Sequence, residues 1–350
     1  MANKETEDAW MLPGAAAPPM PNPPALIRKH IGHVEPLGVL PMADDGPNVP
    51  GALDDILFGP QDLEASSSHS NVPLFALLDA ARIMGLPERL DASVLEHACL
   101  FKGRAQEDLG DVAPWLVKLD RDHPLTRGLF SEGTAPWHLW QTGTYILMRS
   151  SASLPSLVTH LRRFTGFRDE DGKWLYFRFC DPALLHLYLD ASDANCRAGL
   201  FGMPNGPSIA QIIYTLGTDW FALSHPPFEG AEARIDKAAV RQIAMLAAAD
   251  RELAELTAKG ALEASPVPTE RHKQIARDTV LSVYGAGFKS RYHLRYFIAW
   301  ALVYAGELDP LRGDIQTHLH DTHTSVEIRF QAISELIRAR LGQRMGALFA

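Results

Sequence analysis

The hydrophobic positions of residues 143–190 switch between strand period and helix period with almost no slack, which predicts strand, helix, strand and helix in succession. Residues 145–150 (YILMRS) form a β-rich run that carries Arg149 near its end. Ser153 is placed to cap the following helix, its hydroxyl accepting a first-turn N–H, and Pro155 stands where a missing N–H costs nothing. Leu154, Leu157, Val158, Leu161 and Phe164 then recur at helical spacing, with Gly166 as the expected C-cap and Asp171-Gly172 as a turn. Residues 173–180 are aromatic and alternating, so a strand is expected with Trp174, Tyr176 and Arg178 on one face and Leu175, Phe177 and Phe179 on the other. Asp181-Pro182 opens another helix, the carboxylate as its cap.

On either side of this stretch the same patterns divide the chain. Residues 73–81 (PLFALLDAA) read as a buried strand running into a helix that ends by Gly85 or Pro87. Short strands are expected at 96–101 and 115–119, a helical turn at 123–130, and edge strands within 208–223. Strands alternating with helices imply an α/β (α+β) fold, a mixed β-sheet flanked by helices, over residues 71–225. From Arg234 the period is helical throughout, giving a separate C-terminal all-helical lobe over 231–345. Ile235, Ala239, Ile243, Leu253 and Leu256 mark its first helix, Thr269 caps a second, Tyr296 and Trp300 lie on a third, and 324–341 form a fourth. Residues 1–70 are rich in Pro, Gly and Ala, with pairs at Pro18-Pro19 and Pro23-Pro24, and are expected to be mostly disordered. Two apolar islands interrupt them, at 25–40 and 52–59. The second reads either as tail draped over the body or as a short helical docking motif for a partner, built on Leu53, Ile56, Leu57 and Phe58.

Composition narrows the function classes. With 350 residues, 46% of them hydrophobic and 21% charged, the chain is long enough for two domains and a sizeable core. A formal net charge of −9 argues against nucleic acid held through phosphate contacts. The three cysteines Cys99, Cys180 and Cys196 are widely spaced in or near apolar runs, as expected of buried reduced thiols in a cytosolic protein. The opening MANKETEDAW has no secretory signal, and the longest apolar run, 297–306, is about half the ~20 residues a membrane helix needs. The expectation is a cytoplasmic protein without membrane insertion.

Few residues suggest chemistry. His318, His320 and His323, with Asp314 upstream, have zinc-ligand residue types, but the order differs from metallo-β-lactamase-type motifs and the string lies between helices. The plain reading is a solvated loop and helix start. Cys180 near a helix N-terminus, with His186 beyond it, is as well explained by a structural thiol. No catalytic residue, metal ligand or cofactor is assigned. Arg178 amid aromatic residues needs a partner if buried, with Asp79 and Asp181 as candidate acids and Trp174 or Tyr176 as stacking faces. His160 and Arg162 fall on the more polar side of their helix and are surface candidates.

The strings LLDAA (77–81), LF-K-G (100–103), APWLVKLD (113–120), HLRRF (160–164), the Asp171-Gly172 turn and FRFCDP (177–182), in that order, resemble the core motifs of the DUF4123 family over roughly 71–205. The resemblance implies a non-enzymatic adaptor chaperone that loads toxic effectors onto the type VI secretion spike. Its partners would be a secreted toxin effector, held through its N-terminal region, and VgrG/PAAR spike components. Asp79, His160, Arg162, Arg178 and Asp181 would be the motif core or partner-binding residues. The alternatives are a metal-dependent hydrolase using His318, His320 and His323, or an immunity-type protein that neutralises a toxin.

Overall fold

Residues 74–79 (LFALLD) are apolar on both sides of the pleat, so the strand they form must be covered on both faces. The computed structural model, which describes residues 23–38, 46–60, 72–143, 145–168, 172–203, 208–228, 233–260 and 268–342, shows how this is done. Strand β2 (Leu74–Asp79) is buried at every position, in the middle of a seven-stranded sheet. Its other members are β1 (Ile27–His33), β3 (His97–Cys99), β4 (Pro114–Leu119), β5 (Tyr145–Ser150), β8 (Ile209–Leu216) and β9 (Asp219–Ser224), and the order is β1-β9-β8-β5-β2-β4-β3. A separate hairpin joins β6 (Gly166–Arg168) to β7 (Trp174–Tyr176). Along β2, Phe75 and Leu77 enter one core and Leu74, Ala76 and Leu78 the other. The first core is closed by α5 (Leu154–Leu161), α6 (Pro182–Ala191) and α7 (Ala194–Phe201). The second is closed by α1 (Gly51–Phe58), α2 (Leu86–Ser93) and α4 (Pro124–Phe130), while α3 (Arg104–Leu109) buries none of its residues.

The α/β layering is as the pattern implies, but the pairings in the seven-stranded sheet are antiparallel rather than mixed. Strands β2 and β3 do run in the same direction across α2, yet β4 lies between them, and β2 likewise separates β4 from β5. Each insertion replaces a parallel neighbour by an antiparallel one. Nor are 208–223 edge strands: β8 and β9 lie inside the sheet, with Trp220 and Tyr214 fully buried, because β1 adds itself beyond β9.

That addition corrects the expectation for residues 1–70. Residues 1–22, 39–45 and 61–71 lie outside the described residues, including Pro18-Pro19; the described remainder is part of the fold. The docking motif of the second island docks on its own chain, with Leu53 and Leu57 buried in the second core as α1. The fully buried Arg149, on the α1 side of β5, holds that helix by its C-terminal end, donating to the carbonyls of Ile56 at 3.2 Å and Gly59 at 2.6 Å. A guanidinium on a helix C-terminus meets the negative end of the dipole and free carbonyls together.

The helices beyond residue 233 are α8 (Lys237–Ala258), α9 (Glu270–Gly285), α10 (Arg291–Val303), α11 (Ala305–Leu308), α12 (Arg312–His320) and α13 (Val326–Leu341). They enclose a third core around Phe297, Trp300 and Ile333, so the helical lobe is as expected. It is tied to the sheet, however, because Ala239, Val240 and Ile243 of α8 belong to the first core and Leu253 and Leu256 to the third. Glu252 of α8 has no exposed surface and accepts from Arg291 Nε at 2.7 Å and Arg295 Nη2 at 2.7 Å, and Glu255 pairs with the same two arginines. Burial alone would raise the Glu252 carboxyl, but the bonds from Arg291 and Arg295 outweigh it and hold it below its ordinary value. A carboxyl lowered by folding contributes stability that is complete above its unfolded value, about 4.3, and is lost as pH falls through the folded value. Glu252→Gln should therefore lower the melting temperature clearly at pH 7, and the gap to the wild type should close as thermal melts are repeated towards pH 3.

Candidate partner-binding site

Three strand ends coincide at one end of the sheet. Asp79 closes β2 opposite Pro114, where β4 begins, and Cys99 closes β3 opposite Trp115. Asp79 is 1% exposed, and a carboxylate so placed needs compensation. Its Oδ1 accepts from the Ala81 N–H at 3.1 Å and its Oδ2 from Arg178 Nε at 2.5 Å. Of the two acids the sequence offered to Arg178, the structure selects Asp79. The pair keeps the Arg178 guanidinium above its ordinary value even though burial works the other way. Asp181 has the separate task of capping α6, accepting from Ala183 N–H at 2.9 Å and Leu184 N–H at 3.3 Å.

Arg178 is not within a strand. Strand β7 stops at Tyr176, and the next residues turn so that Phe177, Phe179 and Cys180 all enter the first core, which strict alternation would forbid. The turn is held by Phe177 N–H on the Thr165 carbonyl at 2.8 Å and Asp181 N–H on the Arg178 carbonyl at 3.1 Å.

His160 is not a surface residue either. It is 3% exposed, and its Nε2–H donates to the Leu200 carbonyl at 2.8 Å, because α7 lies over the side of α5 that the helical pattern leaves open. Burial lowers its pKa, the Leu200 bond opposes this, and Arg163 lowers it further, so the ring is neutral at pH 7. Arg162 is half-buried and donates from Nε to the Leu100 carbonyl at 2.9 Å and from Nη2 to the carbonyls of Cys99 at 3.0 Å and Phe101 at 3.3 Å. The five residues singled out from the motifs therefore bind this chain's own backbone and side chains. Arg162 closes the end of β3, Arg178 and Asp79 together close the end of β2, His160 ties α5 to α7, and Asp181 caps α6.

The candidates for chemistry are apart or occupied. Burial pushes the Cys180 thiol up to about 12, with nearby Asp79 adding to the rise, so it is protonated at neutral pH. His186 meets the Tyr214 hydroxyl through Nδ1 at 2.8 Å. His318 and His320 lie in the last turn of α12, where His320 Nε2 contacts Gln316 Oε1 at 3.0 Å, and His323 is beyond its end. Among the described residues, the grouping whose ligand atoms fall within 4.8 Å is instead Asp193, Cys196 and Asp236. Its two acids are helix caps: Asp193 accepts from Cys196 N–H at 2.8 Å, and Asp236 from Ala238 N–H at 2.9 Å and Ala239 N–H at 3.1 Å. The Cys196 thiol is itself pushed up to about 12 by burial and by Asp193.

Near this end of the sheet several large apolar side chains are exposed among charged ones such as Arg82, Lys102, Glu107 and Asp111. Met84 is 83% exposed, Trp174 54%, Val112 49%, Leu109 48% and Tyr176 43%. They sit on the loop after β2, the hairpin strand before Arg178 and the segment leading into β4, with Tyr176 edge-on to Phe101 at 5.6 Å. Residue pattern marked Trp174 and Tyr176 as sharing the Arg178 face, but Met84 lies in a turn, Leu109 at the end of the six-residue α3 and Val112 in a single 3-10 turn, all too short to show a period. For the ion pair itself, Arg178→Ala should destabilise the protein by about 3 kcal/mol, since it strands a buried carboxylate. Adding Asp79→Ala should recover part of that loss, a non-additivity that urea titrations of the two single variants and the double variant will measure.

Residues 74–198 match the family model described as "Domain of unknown function (DUF4123)". No curated protein and no solved structure matches the chain. The span matched contains Asp79, the β3 end, HLRRF and FRFCDP, the parts shown above to be bonded to one another, and this stretch of the chain is a DUF4123 domain.

Proposed function

We propose that the protein is a non-enzymatic adaptor chaperone that holds a type VI secretion effector at one end of its sheet and presents it to VgrG/PAAR spike components. The observation that supports this reading is the exposure of Met84, Leu109, Val112, Trp174 and Tyr176 on segments that adjoin the strand ends closed by Arg162 and Arg178. Exposed apolar surface on a braced scaffold favours association, and burying one such side chain in an interface contributes about 1.5–3 kcal/mol. The motif residues supply rigidity in this scheme, and no bond is made or broken. Apolar segments of the effector, its N-terminal region first, are shielded from water until the spike takes them over. The helical lobe, built on the second half of α8, meets the spike or covers the cargo. The adaptor acts and remains in the cytoplasm; among the described residues no helix is long and apolar enough to cross a membrane.

Met84 and Leu109 are exposed and outside the cores, so Met84→Asp with Leu109→Asp should leave the melting temperature of the free protein unchanged. The same double variant should lose the melting-temperature gain that the wild type shows on adding its purified toxin, and should no longer carry toxin and VgrG through co-purification. An undiminished complex with the double variant removes the sheet end from the binding surface. Deleting the gene separates delivery from neutralisation: an adaptor's loss stops export, and an immunity protein's loss kills the producing cell.

A further inference from the structure

Helix α3 has six residues and buries none of them, and the 3-10 turn that follows, Gly110–Val112, buries none either. A helix so short is marginal in water without packing, so α3 and its turn are a place where cover is missing. Between them and the start of α2 lies a groove of about 410 Å3. Pro87 of α2, Gln106 and Glu107 of α3, Gly110 and Asp111 of the turn, and Trp115 of β4 line it. The Trp115 ring is fixed in the wall, because its indole N–H donates to the Gly110 carbonyl at 2.9 Å. Leu109 and Val112, each about half exposed, are the chain neighbours of Gly110 and Asp111. The charge of the lining is one-sided. Glu107 and Asp111 are exposed and form no ion pair among the described residues, and the lining contains no basic residue. Of the nearest cations along the chain, Lys102 lies outside the lining and Arg104 is paired with Asp108 at 3.3 Å.

We infer that this groove receives a basic side chain of a partner polypeptide, its cation meeting the Glu107 and Asp111 carboxylates, its stem against Pro87 and Trp115, and its apolar neighbours on Leu109 and Val112. The assignment rests on the reading of the sheet end as a binding surface and adds the chemistry of what is held there: an apolar stretch that carries a lysine or arginine. A wholly apolar segment would cover two carboxylates without a counter-charge, which is costly. Nucleic acid would meet like charge, and a lone metal ion would leave Leu109 and Val112 uncovered. A long basic side chain answers both demands, because its stem is apolar and its head is a cation.

The test uses the full chain labelled with 15N and follows the Trp115 indole signal, assigned by its disappearance in Trp115→Phe. The probe is N-acetyl-leucyl-arginyl-leucine amide, and the control is the same peptide with glutamate in place of arginine. The arginyl peptide should shift the Trp115 signal saturably, while the other six indole signals, from seven tryptophans in the chain, report that the fold is intact. Glu107→Gln with Asp111→Asn should keep the melting temperature, since both side chains are exposed and unpaired, and should weaken the arginyl peptide several-fold. Glu107→Lys with Asp111→Lys should reverse the preference towards the glutamyl peptide. A Trp115 signal that stays still at millimolar arginyl peptide overturns the groove, even where Met84→Asp with Leu109→Asp shows that the sheet end holds the toxin. A glutamyl peptide that binds the wild type as tightly, or a neutralised variant that keeps the wild-type affinity, overturns the basic occupant. A saturable arginyl shift beside an undiminished toxin complex in Met84→Asp with Leu109→Asp upholds the groove as a site for basic polypeptide and removes the effector as its source.

Discussion

Asp79 imposes the constraint on which the domain depends. A carboxylate with 1% exposure at a strand end is tolerable only when a cation reaches it, and the cation comes from Arg178, 99 residues further along the chain. The pairing draws the hairpin and the turn after it across the ends of β2, β3 and β4. Once Arg178 is there, Phe177, Phe179 and Cys180 have one core to enter, and Asp181 is delivered to the first turn of α6. Arg162 repeats the device on a smaller scale, offering one guanidinium to three carbonyls just where β3 stops. Long-range pairs of this kind specify a single arrangement of loops that packing alone would leave open. The same arrangement sets Trp174 and Tyr176 in solvent beside Phe101.

The elements of the domain were legible because each had a local cause. Ser153 and Asp181 cap the helices they precede, and the apolar run at 74–79 is the doubly covered strand. The partner of Arg178 could be narrowed from sequence to Asp79 or Asp181, because burial of a cation needs an acid, and the fold decides for Asp79. What stayed hidden depends on neighbours distant in the chain. His160 looks outward on its own helix until α7 covers it, and β1 looks like tail until β9 offers its free edge. Arg149 reads as the end of a strand, whereas its function in the fold is set by carbonyls about 90 residues earlier. Helix α12 is weakly amphipathic and buries only Leu319, so a reading as loop and helix start was all its pattern could support.

The two lobes are joined by one piece of rigid backbone. Helix α8 has 22 residues, roughly 33 Å at the usual rise, and each half is embedded in a different core. Rotation of one lobe against the other would have to pull Ala239 and Ile243 out of the first core or Leu253 and Leu256 out of the third. Glu252 strengthens the second attachment, because Arg291 and Arg295 pin α10 to α8 at a carboxylate with no exposed surface. The strand ends and the helical lobe are therefore held at a fixed separation. Fixed separation has a physical consequence for binding: two weak contacts on one rigid body act at high effective concentration once the first has formed. A flexible joint would disperse that advantage, and the continuous α8 removes the joint.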